Sequence, residues 1–322
     1  MRIVGVSMVR NEADIIEAFV RHHCGRLDHL VVVDHGSGDQ TAAILQALQA
    51  EGLPLTVGTT TALANQQARV MNQAMRDTAR RHGADFVLAL DADEFVRADR
   101  AQLEQSLAPL DPDRIATIRW LTHVPTDEAA THPLQRLRAR VPLDVDRYLK
   151  VIVGGRIAMR DGWVLAPGNH AAFDASGGRL RALEAPLLPT LRLAHLPFRS
   201  VEQLVVKVVQ GWLGTRLQEG KAASATVINA HWRRLFDHYL AGGRFDAGDL
   251  RRVAVSTYVD PERCEALLGQ LEDDPLPAAD LRYTSPEPPD AARALAHWAH
   301  RLVEQVVGDG PAGHPAQMRS SA

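Results

Sequence analysis

Four short apolar runs, spaced by stretches of helical periodicity, constrain what this chain can fold into more than any other feature. "RIVGVSMV" (2–9), "HLVVVD" (29–34), "LPLTV" (53–57) and "ADFVLALD" (84–91) are rich in β-branched and aliphatic residues and read as strands. Between the first two, "NEADIIEAFVRHHCGR" (11–26) has helical apolar spacing at Ile15, Ile16, Phe19, Val20 and His23. Asn11 is its expected N-cap, with acidic residues in the first turn. "GSGDQTAAILQALQAEG" (36–52) reads as a turn and a helix, capped by Ser37 or Asp39 and stopped at Gly52. "NQQARVMNQAMRDTARRHG" (65–83) is a helix closed by Gly83. Strands that are apolar on both faces need helices on both faces. The fold class is therefore α/β, with a mostly parallel sheet flanked by helices and joined by right-handed crossovers.

Open sheets of this kind bind ligands at the carboxyl ends of their strands. Asp34 and Asp91 both stand at such ends and are expected to be neighbours, although 57 positions apart. The stretch "FVLALDADEF" (86–95) adds Asp93 and Glu94 to Asp91, so three carboxylates crowd one strand end. Taken alone, a D-x-D is usually a solvated acidic turn. At the end of a buried strand near Asp34 it suits a hard divalent cation, which takes oxygen ligands and leaves positions open for phosphates. Glu94 reads as a supporting group behind the metal. In "VVVDHGSGDQT" (31–41), Asp34 can accept bonds from a base or ribose, and Gly36 and Gly38 allow close approach to the backbone. No G-x-G-x-x-G follows the first strand, so a dinucleotide fingerprint is excluded.

Composition removes other classes. A chain of 322 residues with 46% hydrophobic and 23% charged side chains is an ordinary globular protein with ample core. A net charge of -3 gives no basic field for nucleic acid. The two cysteines, Cys24 and Cys264, make no metal spacing, so the expected compartment is a reducing cytoplasm. The N-terminal apolar run is too short for a signal peptide, and no stretch approaches a membrane span. A peripheral membrane contact stays open.

Beyond residue 112 the pattern loosens. "DRIATIRWLTHV" (113–124) and "YLKVIV" (148–153) read as strands within a loop-rich region. A helix is expected from Ser200, and others over 224–242, 260–271 and 290–307. Arg136, Arg138 and Arg140 read as a solvated basic stripe, and Glu272-Asp273-Asp274 as a loop.

The order "VSMVRNEADIIEAFVRHH", "VVVDHGSGDQT", "NQQARVMNQAM", "ADFVLALDADEF" resembles family 2-type glycosyltransferases with the GT-A fold, and is most similar to the subgroup sharing features with family 92-like proteins. The resemblance covers roughly residues 1–215. It implies a nucleotide-diphospho-sugar donor, a UDP- or GDP-sugar, with Mn²⁺ or Mg²⁺ as cofactor. Val9, Arg10, Asn11 and Glu12 would line the nucleotide pocket, Asp34 would contact base or ribose, and Arg69 and Asn72 would border the donor. Asp91 and Asp93 would hold the metal on the diphosphate, joined by His170 from the "YLKVIVGGRIAMRDGWVLAPGNHAAF" stretch (148–173). His195, in the "LAHLPFRSVEQL" stretch, is a weaker candidate for the same role. Lys150, Arg156 and Arg199 would offset diphosphate charge.

The sequence departs from the family pattern at His35, where many members have Asp, and at Gln67, near where many have Lys. It lacks the E-D dipeptide and the Q-x-x-R-W, which argues against a processive polysaccharide synthase. The catalytic carboxylate is therefore sought among Asp93, Asp127, Glu128 and Asp174. The resemblance divides the chain into a nucleotide-sugar core (1–125), an acceptor-side region (126–215), a helical extension (216–307) and a disordered tail (308–322). The expected activity is a metal-dependent, inverting sugar transfer to an acceptor hydroxyl on a glycan, a lipid-linked glycan or a small molecule. The alternatives are a sugar-phosphate nucleotidyltransferase and an inactive binding subunit.

Overall fold

A computed structural model gives the fold and describes residues 1–60, 67–127, 130, 132–142, 148–176, 178–219, 230–257, 261–276, 280–284 and 290–308. The first half alternates as the periodicity dictates: β1 (Ile3–Val9), α1 (Ile16–Cys24), β2 (His29–Asp34), α2 (Thr41–Ala50), β3 (Leu55–Thr59), α3 (Gln67–His82) and β4 (Phe86–Leu90). A short β5 (Glu94–Val96) leads to α4 (Arg100–Leu107), which Asp99 and Gln102 close with a reciprocal capping box, and then to the long β6 (Ile115–Val124). The single turn α5 (Pro133–Arg136) precedes β7 (Ala139–Arg140). The strand β8 (Leu149–Gly154) is followed by the single turn α6 (Gly155–Ala158). The short strands β9 (Trp163–Leu165), β10 (Ala172–Asp174) and β11 (Arg181–Ala182) form a separate small sheet, and β12 (Leu187–His195) returns to the main one. The C-terminal part holds α7 (Val201–Glu219), α8 (Ala230–Leu240), α9 (Ala247–Ser256), α10 (Cys264–Leu268), β13 (Glu272–Asp273) and α11 (Ala291–Gly308).

The main sheet runs β13-β7-β6-β8-β4-β1-β2-β3, with β12 beside β6 and β5 beside β12. The strands β1 to β4 pair in parallel, and β12 lies parallel to β6. Between β4 and β6 runs β8, antiparallel to both. Side chains alternate between two cores, as the pleat requires. Phe86, Leu88 and Leu90 of β4 face a core shared with α1, α2 and α4, while Val87 and Ala89 face one shared with α3. A third cluster joins Val124 and Phe198 to Leu204 and Val208 of α7 and to α9 and α10.

The α/β class and the mostly parallel, helix-flanked sheet are as expected. Several local readings are corrected. Since β1 lies between β2 and β4, Asp34 and Asp91 end strands two apart, about 10 Å at the usual spacing. Helix α1 starts at Ile16, and Asn11 is not its cap: it sits at φ +54, and its side chain is spent elsewhere. Helix α9, opened by a capping box of Asp246 and Asp249, is not among the expected helices, and the 260–271 stretch holds a 3-10 turn (Pro261–Arg263) and the short α10 among the described residues. The basic stripe is not merely solvated. Arg140 pairs with Glu272 and Asp274, and Arg138 with Asp273, so two charge runs far apart in sequence zip β7 to β13. The expected tail, from 309 on, lies outside the described residues. No helix among the described residues is long and apolar enough to cross a membrane.

Near the back of the sheet, Glu17 of α1 is fully buried and accepts backbone N–H bonds from Arg282, Tyr283 and Thr284 at 2.8–2.9 Å. Two imidazoles of the same helix, the half-buried His22 and the buried His23, turn to backbone carbonyls. His23 meets the Phe19 carbonyl, and His22 meets the Val96 carbonyl. Burial pushes His22 and, at the start of β2, His29 down to about 4, and drives His23 well below its ordinary value. An unfolded histidine takes up its proton below about 6.5, which the folded form refuses. The stability these groups contribute is thus present above pH 6.5 and lost as pH falls toward 4. We expect thermal melts to drop over that window, and a His22→Gln, His29→Gln double variant to drop less steeply. An unchanged slope would contradict the assignment.

Candidate functional site

Asp91 is the first residue beyond β4. The turn it opens is closed by the Glu94 N–H donating to the Asp91 carbonyl at 3.1 Å. Pairing of β5 with β12 sets Glu94 opposite His195, and the Leu196 N–H donates to the Asp93 carbonyl at 2.8 Å. The acidic turn is thereby fixed at the carboxyl end of the sheet.

Two lysines make the crowding tolerable. Lys150, on β8, reaches Asp91 at 2.5 Å and Glu94 at 3.1 Å, and both Lys150 and Glu94 are 0% exposed. Glu94 also accepts from the Trp120 indole N–H at 2.7 Å and the Asp91 N–H at 2.8 Å. Lys207, on α7, donates to Asp93 at 2.7 Å and to the Pro197 carbonyl at 2.9 Å. Burial, aided by the charges of Asp91 and Asp93, pushes Glu94 up to about 8 against the pull of Lys150. Burial also opposes the charges on Lys150 and Asp93. The carboxylates still hold Lys150 above its ordinary value, and Lys207, His195 and Arg199 hold Asp93 well below the usual carboxylate range.

A second network adjoins. Arg199 grips Asp14 at 2.7 and 2.9 Å and also bonds Glu12. Burial pushes Glu12 up to about 7, with Asp93 and Asp14 adding to it. Glu12, Asp14, Asp91, Asp93 and Glu94 thus face three cations, Lys150, Lys207 and Arg199. Among the described residues carboxylates outnumber cations here, and protons drawn onto Glu12 and Glu94 offset part of that excess near neutral pH.

At the end of β2, Asp34 accepts the Ser37 hydroxyl at 2.5 Å and the Ser37 N–H at 3.2 Å, and burial raises its pKa. Asn11 accepts the Gly38 N–H at 2.7 Å and donates its own N–H to the Ser37 hydroxyl at 2.9 Å. That double bond to the turn explains its left-handed backbone, which asparagine tolerates. Arg10 is next to it, pushed down to about 10 by burial and by the nearby Arg301. Val9 is buried, and its carbonyl accepts from the His35 N–H at 2.8 Å.

Not every expected residue comes to this place. Arg156 stands at the other end of β4, beside the strand's start at Phe86 rather than its end at Asp91, and pairs with Asp111 and Asp113. Asp174 lies in the small sheet and is bound to Ser176 and Arg181, which hold it down to about 2. Arg69 is exposed on α3, and Asn72 is spent on the Leu165 N–H at 3.1 Å and the Ala68 carbonyl at 2.6 Å. Lys150 and Arg199 are buried inside ion pairs, so neither presents a spare charge to a diphosphate. His170 turns Nδ1 to the Leu149 carbonyl at 2.9 Å, with its ring against Trp120 and Tyr148. Its position feels the charges of Lys150 and Asp91, whereas His195 feels that of Asp93. Asp127 is described, with its carboxylate accepting the Ala130 N–H at 3.2 Å, and Glu128 lies outside the described residues.

Sequence reasoning missed Lys207, Gln67 and Asn169. The amides of Gln67 and Asn169 donate to Asp91 at 3.2 and 3.4 Å, and Asn169 is fully buried at φ +60. Lys207 had a signal: a lysine within "LVVKVVQ" on a helix face otherwise apolar needs a carboxylate partner.

Among the described residues no group of three or more His, Cys, Asp and Glu side chains is placed to hold a metal ion by itself. The donor chemistry nevertheless fits a hard cation shared with phosphate oxygens. Asp91 keeps 29% of its side chain exposed beside the buried Asp93, so the turn presents carboxylate oxygens of the kind such a cation takes.

No protein-family model matches the chain, and no curated protein matches it. Solved structures do. The mannosyltransferase PcManGT from Pyrobaculum calidifontis, in complex with GDP-Man and Mn²⁺, is 15% identical with a TM-score of 0.41, covering 96% of this chain and 88% of that one. Residues 1–349 of S. aureus TarS, in complex with UDP-GlcNAc, are 13% identical with a TM-score of 0.39, covering 100% and 97%. A longer S. aureus TarS structure is 12% identical with a TM-score of 0.39, and the chain spans only 43% of its length. Glucosyl-3-phosphoglycerate synthase from Mycobacterium tuberculosis, with Mn²⁺, UDP and glucosyl-3-phosphoglycerate, is 18% identical with a TM-score of 0.25, covering 37% and 44%. Likenesses this remote carry no argument about activity, which has to come from the residues.

Replacing Lys150 with Met removes the ammonium and leaves the buried Glu94 beside Asp91 without a cation between them. Breaking a buried pair in this way costs about 3–5 kcal/mol. Denaturant unfolding should show that loss for Lys150→Met, and adding Glu94→Gln should recover part of it. A loss within error of zero would remove Lys150 from its role.

Proposed function

We propose that this chain is a glycosyltransferase of the family 2 type, from the subgroup resembling family 92-like proteins. In this reading it moves a sugar from a nucleotide-diphospho-sugar to an acceptor hydroxyl with inversion. The observation that supports it best is the acidic turn at the end of β4, where among the described residues Asp91, Asp93 and Glu94 meet Glu12 and Asp14 from the segment after β1 and the cations Lys150, Lys207 and Arg199. It lies two strands from the Asp34 turn, about 10 Å away, a gap that a nucleoside diphosphate bridges.

Asp34 and Arg10 take the nucleoside. Asp91 and Asp93 hold a divalent cation, Mn²⁺ or Mg²⁺, against the diphosphate, with His170 beside Asp91. When bound, that ion supplies Lewis-acid stabilisation of the leaving nucleoside diphosphate. Asp93, held strongly acidic, suits cation binding better than proton abstraction. Gln67, Asn169 and Lys150 keep Asp91 in its orientation. Tyr148, partly exposed next to His170 and Trp120, offers an aromatic face to a sugar ring. Free Cys24 and Cys264 suit a cytoplasmic setting.

A panel of UDP- and GDP-sugars with Mn²⁺ or Mg²⁺ tests the reading. The cognate donor should raise the melting temperature and be slowly hydrolysed, because binding to the native state alone stabilises it. Asp91→Asn should abolish both effects. If no nucleotide sugar stabilises the wild-type protein with either metal, the donor assignment is wrong.

A further inference from the structure

The last helix lies on the nucleoside turn. Arg301 of α11 donates from Nη1 to the Gly36 carbonyl at 3.2 Å. A Cβ built on Gly36 would stand 1.5 Å from that nitrogen, and one on Gly38 would stand 2.6 Å from the His297 ring. Gly36 sits at φ +66, so it is glycine for its backbone as well. Ala294 and Trp298 bury the inner face of the helix. The glycines of the turn therefore make room for a neighbouring helix as well as for a ligand.

The charges gathered here are unusual. Arg301 stands close enough to Arg10 for the two guanidinium groups to repel, and Arg10 in turn is close to Asp34. The Nε and Nη2 atoms of Arg10 are buried without a hydrogen-bond partner. A buried guanidinium left in that state calls for acceptors. Ser37 holds the oxygens of Asp34 within the same turn.

We propose that α11 forms the outer wall of the donor's base pocket, and that Arg301, with Arg10 and Asp34, selects a keto base. Uracil and guanine present a carbonyl beside a ring N–H. The carbonyl accepts from a guanidinium, and the N–H donates to the carboxylate. Cytosine and adenine present an amino group beside a bare ring nitrogen, which reverses the order of donor and acceptor. Arg301 is thus a specificity-determining residue contributed from almost the far end of the chain. This inference rests on the donor reading above.

Calorimetric titration of UDP, GDP, CDP and ADP, with Mg²⁺ present, into the wild-type protein, Arg301→Ala and Arg301→Lys tests it. The wild-type protein should bind UDP or GDP about tenfold or more tightly than CDP and ADP, the scale of one good bidentate arginine contact. Arg301→Ala should lose most of that preference, and Arg301→Lys should fall between. The melting temperature of each variant without nucleotide reports whether it is folded. If Arg301→Ala binds with unchanged affinity and preference, the role of α11 is overturned while the donor reading stands. Tighter binding by Arg301→Ala would make the helix an obstruction and also overturn it. If the wild-type protein binds none of the four, the donor reading falls first and this inference with it.

Discussion

The buried ammonium of Lys150 is the contact on which the site depends. Asp91, Asp93 and Glu94 fall within four consecutive positions, and Glu94 is wholly withdrawn from water. Carboxylates so placed repel strongly in a medium of low dielectric. Lys150 bridges Asp91 and Glu94, and the Trp120 N–H occupies the same Glu94 oxygen that the ammonium meets. Placing Lys150 there explains why β8 runs against its neighbours. Inserted antiparallel between β4 and β6, it carries its early residues to the carboxyl end of β4, so a side chain near its start meets the acidic turn.

Around that centre the molecule is tied by long-range charges. Lys207 comes to Asp93 from α7, and Arg199 comes to Asp14 and Glu12 from the segment just before it. These contacts bind the end of β1 to the start of α7 across nearly two hundred residues, which clamps the loop between β1 and α1 over the acidic turn. The same chain segment carries Phe198 into the third core cluster. Electrostatic organisation of the site and packing of the C-terminal helices are therefore one structure. A change in α7 can be felt at Asp93 without touching it.

What was legible in the sequence was periodicity. The alternation of continuous apolar strands with amphipathic helices fixed the class of fold, because strands such as "FVLAL" cannot face water on either side. The strand-end carboxylates were legible too, since carboxyl ends of a parallel sheet are where ligands gather. Lateral order was not, and β1 came to lie between the strands ending in Asp34 and Asp91. Pairwise charge was also hidden. Lys150 reads as a spare cation until its two carboxylates are seen, and Arg140 reads as a solvated stripe until Glu272 arrives from 132 positions downstream. Asn11 looked like a helix cap because its residue type is common there. Its actual geometry is set by the turn after β2, which lies outside any local window.

Glu17 carries a consequence for synthesis. Its carboxylate is sealed inside α1 and receives the backbone of Arg282, Tyr283 and Thr284, some 265 positions later. A ribosome adding about 5–20 residues each second needs at least ten seconds to make that interval. Throughout that time the first strands and helices are complete, yet Glu17 has only Arg21, one turn along the same helix, as its partner. The early half of the chain is therefore an unfinished object while it emerges, with a polar defect in what will become its interior. The late segment adds four hydrogen bonds to that carboxylate, so the finished burial of Glu17 waits for the C-terminal part of the chain.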